Sequence, residues 1–283
     1  MIWQVPKEGF CETDWLKEVL AGIDFNEIED GKWSVFKDNS IIIASNDKKK
    51  KCKRYYDELA KRKCKFAIIQ ISDERYAIPD DFYRQATFVL RHYWHENYGK
   101  NVTAFPLGYK SGFLRHFSGK ELNDASHRKY VWSFAGQIKK STRGPMIESM
   151  KKIPHYHIYE TFTFHDPNAL SPENYRALLL NTIFVPCPRG WSNLESFRVY
   201  EALETGCIPI VEKDSGDYFG KLLGSYPFPS VESWEEAPAL IQNLLANPME
   251  LEKLRSHCHD WWMEYKKQLK LDIAKVIKES FSD

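Results

Sequence analysis

The sequence has few cysteines, and their spacing does not match a metal site. The six cysteines include no C-x-x-C pair, which excludes a zinc knuckle of the usual spacing. Cys187 and Cys207 lie in apolar, strand-like runs, where a cysteine packs as a small buried side chain. We therefore expect reduced thiols and a cytosolic protein.

Long apolar segments and an excess of charge are also missing. The N-terminus has no apolar stretch like that of a signal peptide, and no run approaches the length of a membrane span. The 40 basic and 39 acidic residues give a net charge of +1, which argues against binding nucleic acid by charge alone. One cationic run, KKKKCKR at 48–54, could still bind nucleic acid or an anionic membrane; the alternative is a solvated, lysine-rich surface.

The chain is instead rich in short apolar runs that alternate with amphipathic segments. The pattern predicts strands at 40–46, 65–74, 86–94, 101–109, 130–137, 155–162, 183–188 and 207–212. It predicts helices at 47–64, 143–153, 171–182 and 192–206, and a mostly helical tail from 233 to 281 that breaks near Asn247-Pro248. Because strands that alternate with helices form parallel sheets, the predicted fold class is α/β.

Two series of these units predict two Rossmann-like domains. We place the first domain at residues 1–122 and the second at 123–283, with a polar linker within 118–129. The last helix of the second domain could pack against the first domain. Ligands of parallel α/β sheets bind outside the carboxyl ends of the strands. We therefore expect two facing sheets to share a cleft, and we expect the functional residues at strand ends.

The segment CPRGWSNLESFRVYEALETGCIPIV carries the densest group of candidate residues. It follows one predicted strand and enters the predicted helix, which Ser192 or Asn193 could cap. The positive end of a helix dipole suits a phosphate or a diphosphate, and Gly190 lets a ligand approach the backbone. Arg198 adds a planar cation for phosphate oxygens, and a carboxylate at Glu201 could accept both hydroxyls of a ribose. The alternative is an ordinary capped helix with a surface arginine and a surface glutamate.

This segment resembles the signature of the exostosin-like glycosyltransferases. The shared pattern is P-x-G-x-x-x-x-x-S-x-R-x-x-E-A-L-x-x-G-C-I-P-I, from Pro188 to Ile210. Tyr175-Arg176 and the run IFVP that begins at Ile183 also match the family's pattern. The resemblance implies the GT-B fold, in which two Rossmann-like domains face each other and the second binds a nucleoside-diphosphate sugar.

Carried over residue by residue, the resemblance implies a role for the polar side chains of the motif. Glu201 would hold the ribose, and Ser196 and Arg198 would lie near the diphosphate. Related retaining enzymes carry a second glutamate eight residues before the ribose glutamate, where this chain has Asn193. Asn193 and Gly190 remain candidates for donor binding, and the departure favours an inverting enzyme.

A second candidate loop is the segment FAGQIKKSTR, which begins at Phe134. Gly136 ends a predicted strand and permits a close approach. The cations of Lys139, Lys140 and Arg143 can neutralise a departing diphosphate, and GT-B enzymes commonly use this loop in that way. Arg143 is the strongest candidate because it lies where a helix begins; a solvated basic turn is the alternative.

The first domain offers acceptor-side candidates at the ends of its own strands. Asp73 ends a predicted strand, and an inverting transfer needs a base to take the proton of the acceptor hydroxyl. The alternative is that Asp73 and Glu74 cap the following turn. Arg91, His92 and Tyr93 end or follow the next strand and could line an acceptor pocket.

Three further residues of the second domain are weaker candidates. Trp191 could stack on a sugar, although a tryptophan after a turn often only packs. Tyr159 and Thr161 end the predicted strand at 155–162, where a uracil pocket would fall.

The resemblance also sets expectations for cofactors, substrates and partners. Metal-dependent transferases of the other major fold carry an Asp-x-Asp at a strand end, which this sequence lacks, so we expect no metal and no other cofactor. The length and the lack of an anchor resemble the soluble exostosin-like enzymes of large chlorella viruses, which implies UDP-xylose as the donor and fucose of a glycan as the acceptor. The alternatives are another UDP-sugar, such as that of galactose or glucuronic acid, and a non-catalytic protein that binds a glycan or a nucleotide.

Overall fold

The chain forms two compact units. One contains Met1–Leu107 with Lys267–Asp283, and the other contains Gly108–Lys266. The division therefore lies before the linker that we place within 118–129. The computed structural model describes residues 2–5, 11–24, 26–29, 38–45, 49–119, 122–163 and 166–281, without the side chains of residues 2–5, 26–29, 49–52 and 80.

The first unit is built on a six-stranded parallel sheet in the order β2-β1-β3-β4-β5-β6. Its strands are β1 (Ile2–Val5), β2 (Asn26–Glu29), β3 (Ser40–Ser45), β4 (Phe66–Ile71), β5 (Phe88–Arg91) and β6 (Val102–Ala104), and its helices include α1 (Thr13–Val19) and α2 (Lys49–Lys61). The sequence pattern missed β1 and β2: the apolar run of β1 is interrupted by Gln4, and β2 has a single apolar residue, Ile28.

Burial explains why β3 and β4 were readable from the sequence. Every residue of both strands is buried, which is the pattern of a parallel strand covered on its two faces. Tyr55 and Leu59 of α2 pack into this core, as predicted. The start of the cationic run at 48–54 lies outside the described residues, and within it Lys53 pairs with Asp57 at 3.0 Å.

The second unit is built on a five-stranded parallel sheet in the order β11-β10-β9-β7-β8. Its strands are β7 (Tyr130–Gly136), β8 (Tyr156–Glu160), β9 (Thr182–Cys187), β10 (Ile208–Glu212) and β11 (Ser230–Val231). The helices that follow these strands are α3 (Arg143–Met150), α4 (Pro172–Leu180), α5 (Phe197–Glu204), α6 (Tyr218–Leu223), α7 (Ala237–Leu245) and α8 (Pro248–Phe281).

The strand order of the second unit places three loops side by side. β7 pairs with β8 on one side and with β9 on the other, and β9 pairs in turn with β10. Because all pairs are parallel, the carboxyl ends of β7, β9 and β10 lie at one edge, where ligands of such sheets bind. Within the described part of the chain, no helix combines the length and the apolar character needed to cross a bilayer.

Candidate functional site

The helix of the motif begins later than the sequence predicts. α5 starts after Ser196, which takes the N-cap position with an extended backbone and no side-chain cap bond. The chain between β9 and α5 is a loop, in which the Gly190 N–H donates to the Asn193 carbonyl at 2.7 Å. The prediction that Ser192 or Asn193 caps the helix was therefore wrong. Gly190 and Asn193 are both buried within this loop.

A buried carboxylate explains the late start of α5. Glu195 is 1% exposed and accepts hydrogen bonds from the hydroxyls of Tyr200 and Tyr218, the latter at 2.9 Å. These bonds tie the residue before Ser196 to two helices, which draws the loop inward. A pattern of apolar periodicity carries no signal for such a contact.

Arg198 lies across the carboxyl end of β7. Its Nη2 donates to the Ala135 carbonyl at 2.8 Å, and its guanidinium lies 4.5 Å from the centroid of the Phe134 ring. Gly136 makes this approach possible, because a Cβ there would lie 3.0 Å from Nη2 and the backbone has a φ of 145°. In this structure, the group that approaches Gly136 closely is thus the side chain of Arg198.

A second arginine meets the same ring. Arg143 is the first residue of α3, as predicted, and its Nη1 donates to the Gln137 carbonyl at 3.1 Å. Its guanidinium lies 5.9 Å from the centroid of Phe134. The structure therefore brings Arg143 and Arg198 together, although 55 positions separate them in the sequence (198 minus 143).

Two donor atoms at this edge have no partner among the described residues. Arg198 Nε and Ser196 Oγ are both buried from solvent and make no hydrogen bond there. A buried polar atom without a partner costs about 1–3 kcal/mol, so in proteins such atoms are usually satisfied by a bound ligand or by water. An anion fits both, because a phosphate oxygen accepts from a guanidinium and from a hydroxyl.

Glu201 is a buried carboxylate on α5. It is 5% exposed, and its Oε1 accepts from the backbone N–H of Lys110 at 3.3 Å. Burial raises the pKa of Glu201 to about 7, while the Lys110 N–H and the charge of Arg198 act in the opposite direction. The carboxyl therefore titrates near neutrality, which suits a group that exchanges hydrogen bonds with ligand hydroxyls.

Glu212 organises the loops of this edge, and sequence reasoning missed it. It ends β10 and accepts from Thr142 Oγ1, from the Arg189 backbone N–H at 3.3 Å and from Trp234 Nε1 at 2.8 Å. Its other oxygen pairs with Arg189 Nε at 3.2 Å. One carboxylate thus joins the loop after β7 to the loop after β9. Its place at a strand end was the signal that could have found it.

A cavity of about 390 Å³ opens at the carboxyl ends of β7, β8 and β9. Trp191 and Phe162, with 57% and 76% of their surface exposed, lie on its wall. The Lys140 ammonium lies 5.1 Å from the Trp191 ring, and Thr161 lines the cavity with Lys139. An exposed aromatic ring can stack on a flat ligand ring, and the lysines beside it attract a negatively charged group attached to that ligand.

The acceptor-side candidates lie in the first unit and are largely buried. Asp73 is 1% exposed, and its carboxylate accepts from the backbone N–H groups of Ala77 and Ile78 at 2.8 and 3.1 Å. It also pairs with Arg91 at 2.9 Å. These bonds place Asp73 as the cap of the following turn, which is the alternative that the sequence left open; Glu74 is half-buried beside it.

Arg91 packs inside the first unit. It is 1% exposed, its Nη1 donates to Tyr83 Oη at 3.0 Å, and its guanidinium lies 5.0 Å from the Tyr98 ring. This packing gives Arg91 structural contacts, and a role in lining an acceptor pocket stays a prediction.

His92 and Tyr93 follow Arg91 at the end of β5 and are 1% and 7% exposed. Both ring nitrogens of His92 are buried without a hydrogen bond among the described residues. Burial, followed by the charge of Arg91, lowers the pKa of His92 to about 3, so its imidazole is neutral at physiological pH.

Comparison with known proteins identifies relatives in sequence and neighbours in fold. The ribitol-5-phosphate xylosyltransferase 1 of Mus musculus is 27% identical over an alignment of 210 residues, and the match covers 65% of this chain and 46% of that protein. The Homo sapiens protein of the same name is also 27% identical, over 208 residues. The chain thus spans less than half the length of the curated relatives that it matches.

Among solved structures, the chain is similar to Anabaena Alr3699/HepE in complex with UDP and glucose. The TM-score is 0.59 at 9% identity, over 98% of this chain and 91% of that one. Such structural neighbours are GT-B glycosyltransferases, and together with the two parallel sheets they confirm the predicted α/β, GT-B fold.

A family model also matches the chain, and its match covers most of the second unit. The model describes the RXYLT1 C-terminal domain and matches residues 113–282. This segment includes Gly136, Arg143, Ser196, Arg198 and Glu201, the residues that the structure gathers at the edge of the second sheet. Because the match covers more than half of the chain, the chain belongs to the RXYLT1 C-terminal domain family.

Proposed function

We propose that the protein is a glycosyltransferase that moves xylose from UDP-xylose to a hydroxyl of a carbohydrate acceptor. The observation that carries the proposal is the cationic site at the carboxyl edge of the second sheet, where Arg143 and Arg198 meet on Phe134 and two buried donor atoms make no hydrogen bond to any described residue. The relatives named as xylosyltransferases support xylose as the sugar.

The parts of a UDP-sugar match the parts of this site. The diphosphate would accept from Arg198 Nε and Ser196 Oγ, with Arg143 supplying further positive charge. The ribose hydroxyls would donate to Glu201, which faces little competition because its one described hydrogen bond comes from Lys110. The uracil would lie in the cavity lined by Trp191 and Thr161, where an exposed ring can stack on it.

The donor site also accounts for how the leaving group is stabilised. In an inverting transfer, the acceptor oxygen attacks C1 of the sugar while the bond from C1 to the diphosphate oxygen breaks. The electron pair leaves with UDP, and the acceptor proton passes to a base. Arg143 and Arg198 are fixed by bonds to backbone carbonyls, so they can neutralise the developing charge without reorganising. We therefore propose that a metal ion is not required.

Asp73 is our proposed base on the acceptor side. Its position after β4 puts it at the carboxyl edge of the first sheet, and the ion pair with Arg91 fixes its orientation. Because Asp73 is 1% exposed, the turn that it caps must open before an acceptor hydroxyl can reach the carboxylate. Glu74 and His92 are the neighbouring groups to which the role would otherwise pass.

Two observations support two different acceptors. The resemblance to the exostosin-like enzymes implies fucose of a glycan, whereas the relatives are named for ribitol-5-phosphate. Both offer vicinal hydroxyls, and we propose fucose as the acceptor and ribitol-5-phosphate as the competitor to test beside it.

The proposal is tested by incubating the protein with UDP-xylose, UDP-galactose or UDP-glucuronic acid and each acceptor. Mass spectrometry of the acceptor and an assay for released UDP report transfer. We expect UDP-xylose to give the fastest release and an acceptor product heavier by one pentose. A non-catalytic nucleotide-binding protein would be stabilised by UDP, by about 2.7 kcal/mol at a hundred times its Kd, and would release no UDP from any donor.

A further inference from the structure

A tight turn lies against the carboxylate that we assign to the ribose. The backbone N–H of Lys110 donates to Glu201 Oε1 at 3.3 Å. Three residues later, the N–H of Phe113 donates back to the Lys110 carbonyl at 3.1 Å and closes the turn. The group that contacts Glu201 is therefore a backbone amide, whose direction is set by the turn and is independent of the lysine side chain.

The start of α4 holds this turn in place. Phe113 is 1% exposed, its ring lies 5.9 Å from that of Tyr175, and its carbonyl accepts from Arg176. Gly112 has a φ of 87°, and a Cβ at this position would lie 3.3 Å from Pro172. Contacts of both the backbone and the aromatic ring thus fix where the Lys110 N–H points.

Glu201 needs such a donor because few of its other neighbours stabilise the ionised carboxylate. It is 5% exposed, and the cation nearest along α5 is Arg198, whose Nη2 is already bonded to Ala135. Tyr175 of α4 and Cys187 at the end of β9 also interact with it, and because burial raises the pKa of both groups, they stay neutral and offer no charge to balance the carboxylate. Among the described residues, the ammonium of Lys110 is the remaining charge that acts on Glu201, and it lowers the pKa of the carboxyl less than the Lys110 N–H does.

We propose that the backbone N–H of Lys110 is a positioning group for donor binding: it holds Oε1 of Glu201 and leaves Oε2 to accept from the ribose hydroxyls. The inference rests on the proposed role of Glu201. It assigns to the turn at 110–113 a function in recognising the nucleoside, beyond its structural contacts with α4.

The test compares two variants at the same position. Lys110→Pro removes the N–H, and Lys110→Ala removes the side-chain charge but keeps the N–H. Because a hydrogen bond to a charged group contributes about 1.5–3 kcal/mol and this one is long, we expect Lys110→Pro to weaken UDP by about tenfold at pH 7, with less than about twofold for Lys110→Ala. The pH at which UDP affinity falls should also move upward in Lys110→Pro, because the ionised carboxylate loses its donor.

A measurement on the unaltered protein keeps the inference testable if the proline variant does not fold. Hydrogen exchange of the Lys110 amide should slow at saturating UDP by more than that of the Asn174 amide, which bonds to Ser171 at the start of α4. Equal slowing of the two amides overturns the inference, as does an unchanged pH profile in a folded Lys110→Pro variant. If Glu201→Gln itself binds UDP normally, the proposed ribose contact fails instead, which separates the two outcomes.

Discussion

Replacement of Arg198 by methionine tests the diphosphate site most directly. Methionine keeps an unbranched stem of similar length over Phe134, and its sulfur can still contact the ring, so the main change is the loss of the guanidinium. The bond from Nη2 to the Ala135 carbonyl is also lost, at a cost of about 1 kcal/mol in stability. The variant should therefore fold.

The expected loss of affinity follows from the atoms that the guanidinium offers. Nε is buried without a described partner, so we expect it to make a new charge-assisted bond to a phosphate oxygen when UDP binds. Such a bond contributes about 1.5–3 kcal/mol, which corresponds to a loss of about 10- to 150-fold in UDP affinity. Because one cation is removed from a partly buried site, UDP binding should also depend less on salt.

Isothermal titration with UDP and with uridine at fixed ionic strength measures this change. Uridine lacks the diphosphate, so its affinity should be unchanged in Arg198→Met. Lys151→Met removes one positive charge from the same unit, where Lys151 pairs with Glu148 at the surface, and it should bind UDP normally. A folded Arg198→Met protein that binds UDP as tightly as the wild type would refute the placement of the diphosphate.

Three further predictions concern single residues. Burial raises the pKa of Glu201 to about 7, so if its carboxylate accepts from the ribose, UDP affinity should fall as the pH drops through about 7, and titrations of Glu201→Gln should lack this step. Gly136→Ala should displace Arg198 and weaken UDP, whereas Gly144→Ala, with open space around its Cβ, should leave UDP binding unchanged. If Asp73 is the base, Asp73→Asn should lower turnover by about 10²–10⁴ at unchanged UDP affinity. If the variant has a lower Tm but keeps more than a tenth of the turnover, Asp73 only stabilises the turn that it caps.

Much of the fold was predictable because its signals are local. Buried parallel strands such as β3 and β4 appear in the sequence as continuous apolar runs. Capping residues mark helix ends: Ser171, for example, is the N-cap of α4 and accepts a hydrogen bond from the Asn174 N–H. The break between α7 and α8 near Asn247-Pro248 was visible for the same reason. The short strands β1, β2 and β11 were not predicted, whereas β5 and β6, which are as short, lie within the longer segments predicted as strands at 86–94 and 101–109.

The site was predictable as a set of residues but not as an arrangement. Strand ends and the motif singled out Gly136, Arg143, Ser196, Arg198 and Glu201, and the structure places all of them in one unit. The contacts that fix the positions of these side chains could not be predicted from the spacing of residues in the sequence. Phe134 joins the two arginines, and the Lys110 amide reaches Glu201 across 91 positions of sequence.

The sequence by itself determined the alternation of strands and helices, and hence parallel sheets, because the hydrophobic period of each segment depends only on neighbouring residues. Tertiary structure alone decided that β7 pairs with β9, which brings Arg143 and Arg198 to one ring, and that Glu195 draws the loop inward so that α5 starts at Phe197. It also decided that Asp73 is buried against Arg91. These outcomes depend on burial and on contacts between distant segments, which arise only when the chain is packed.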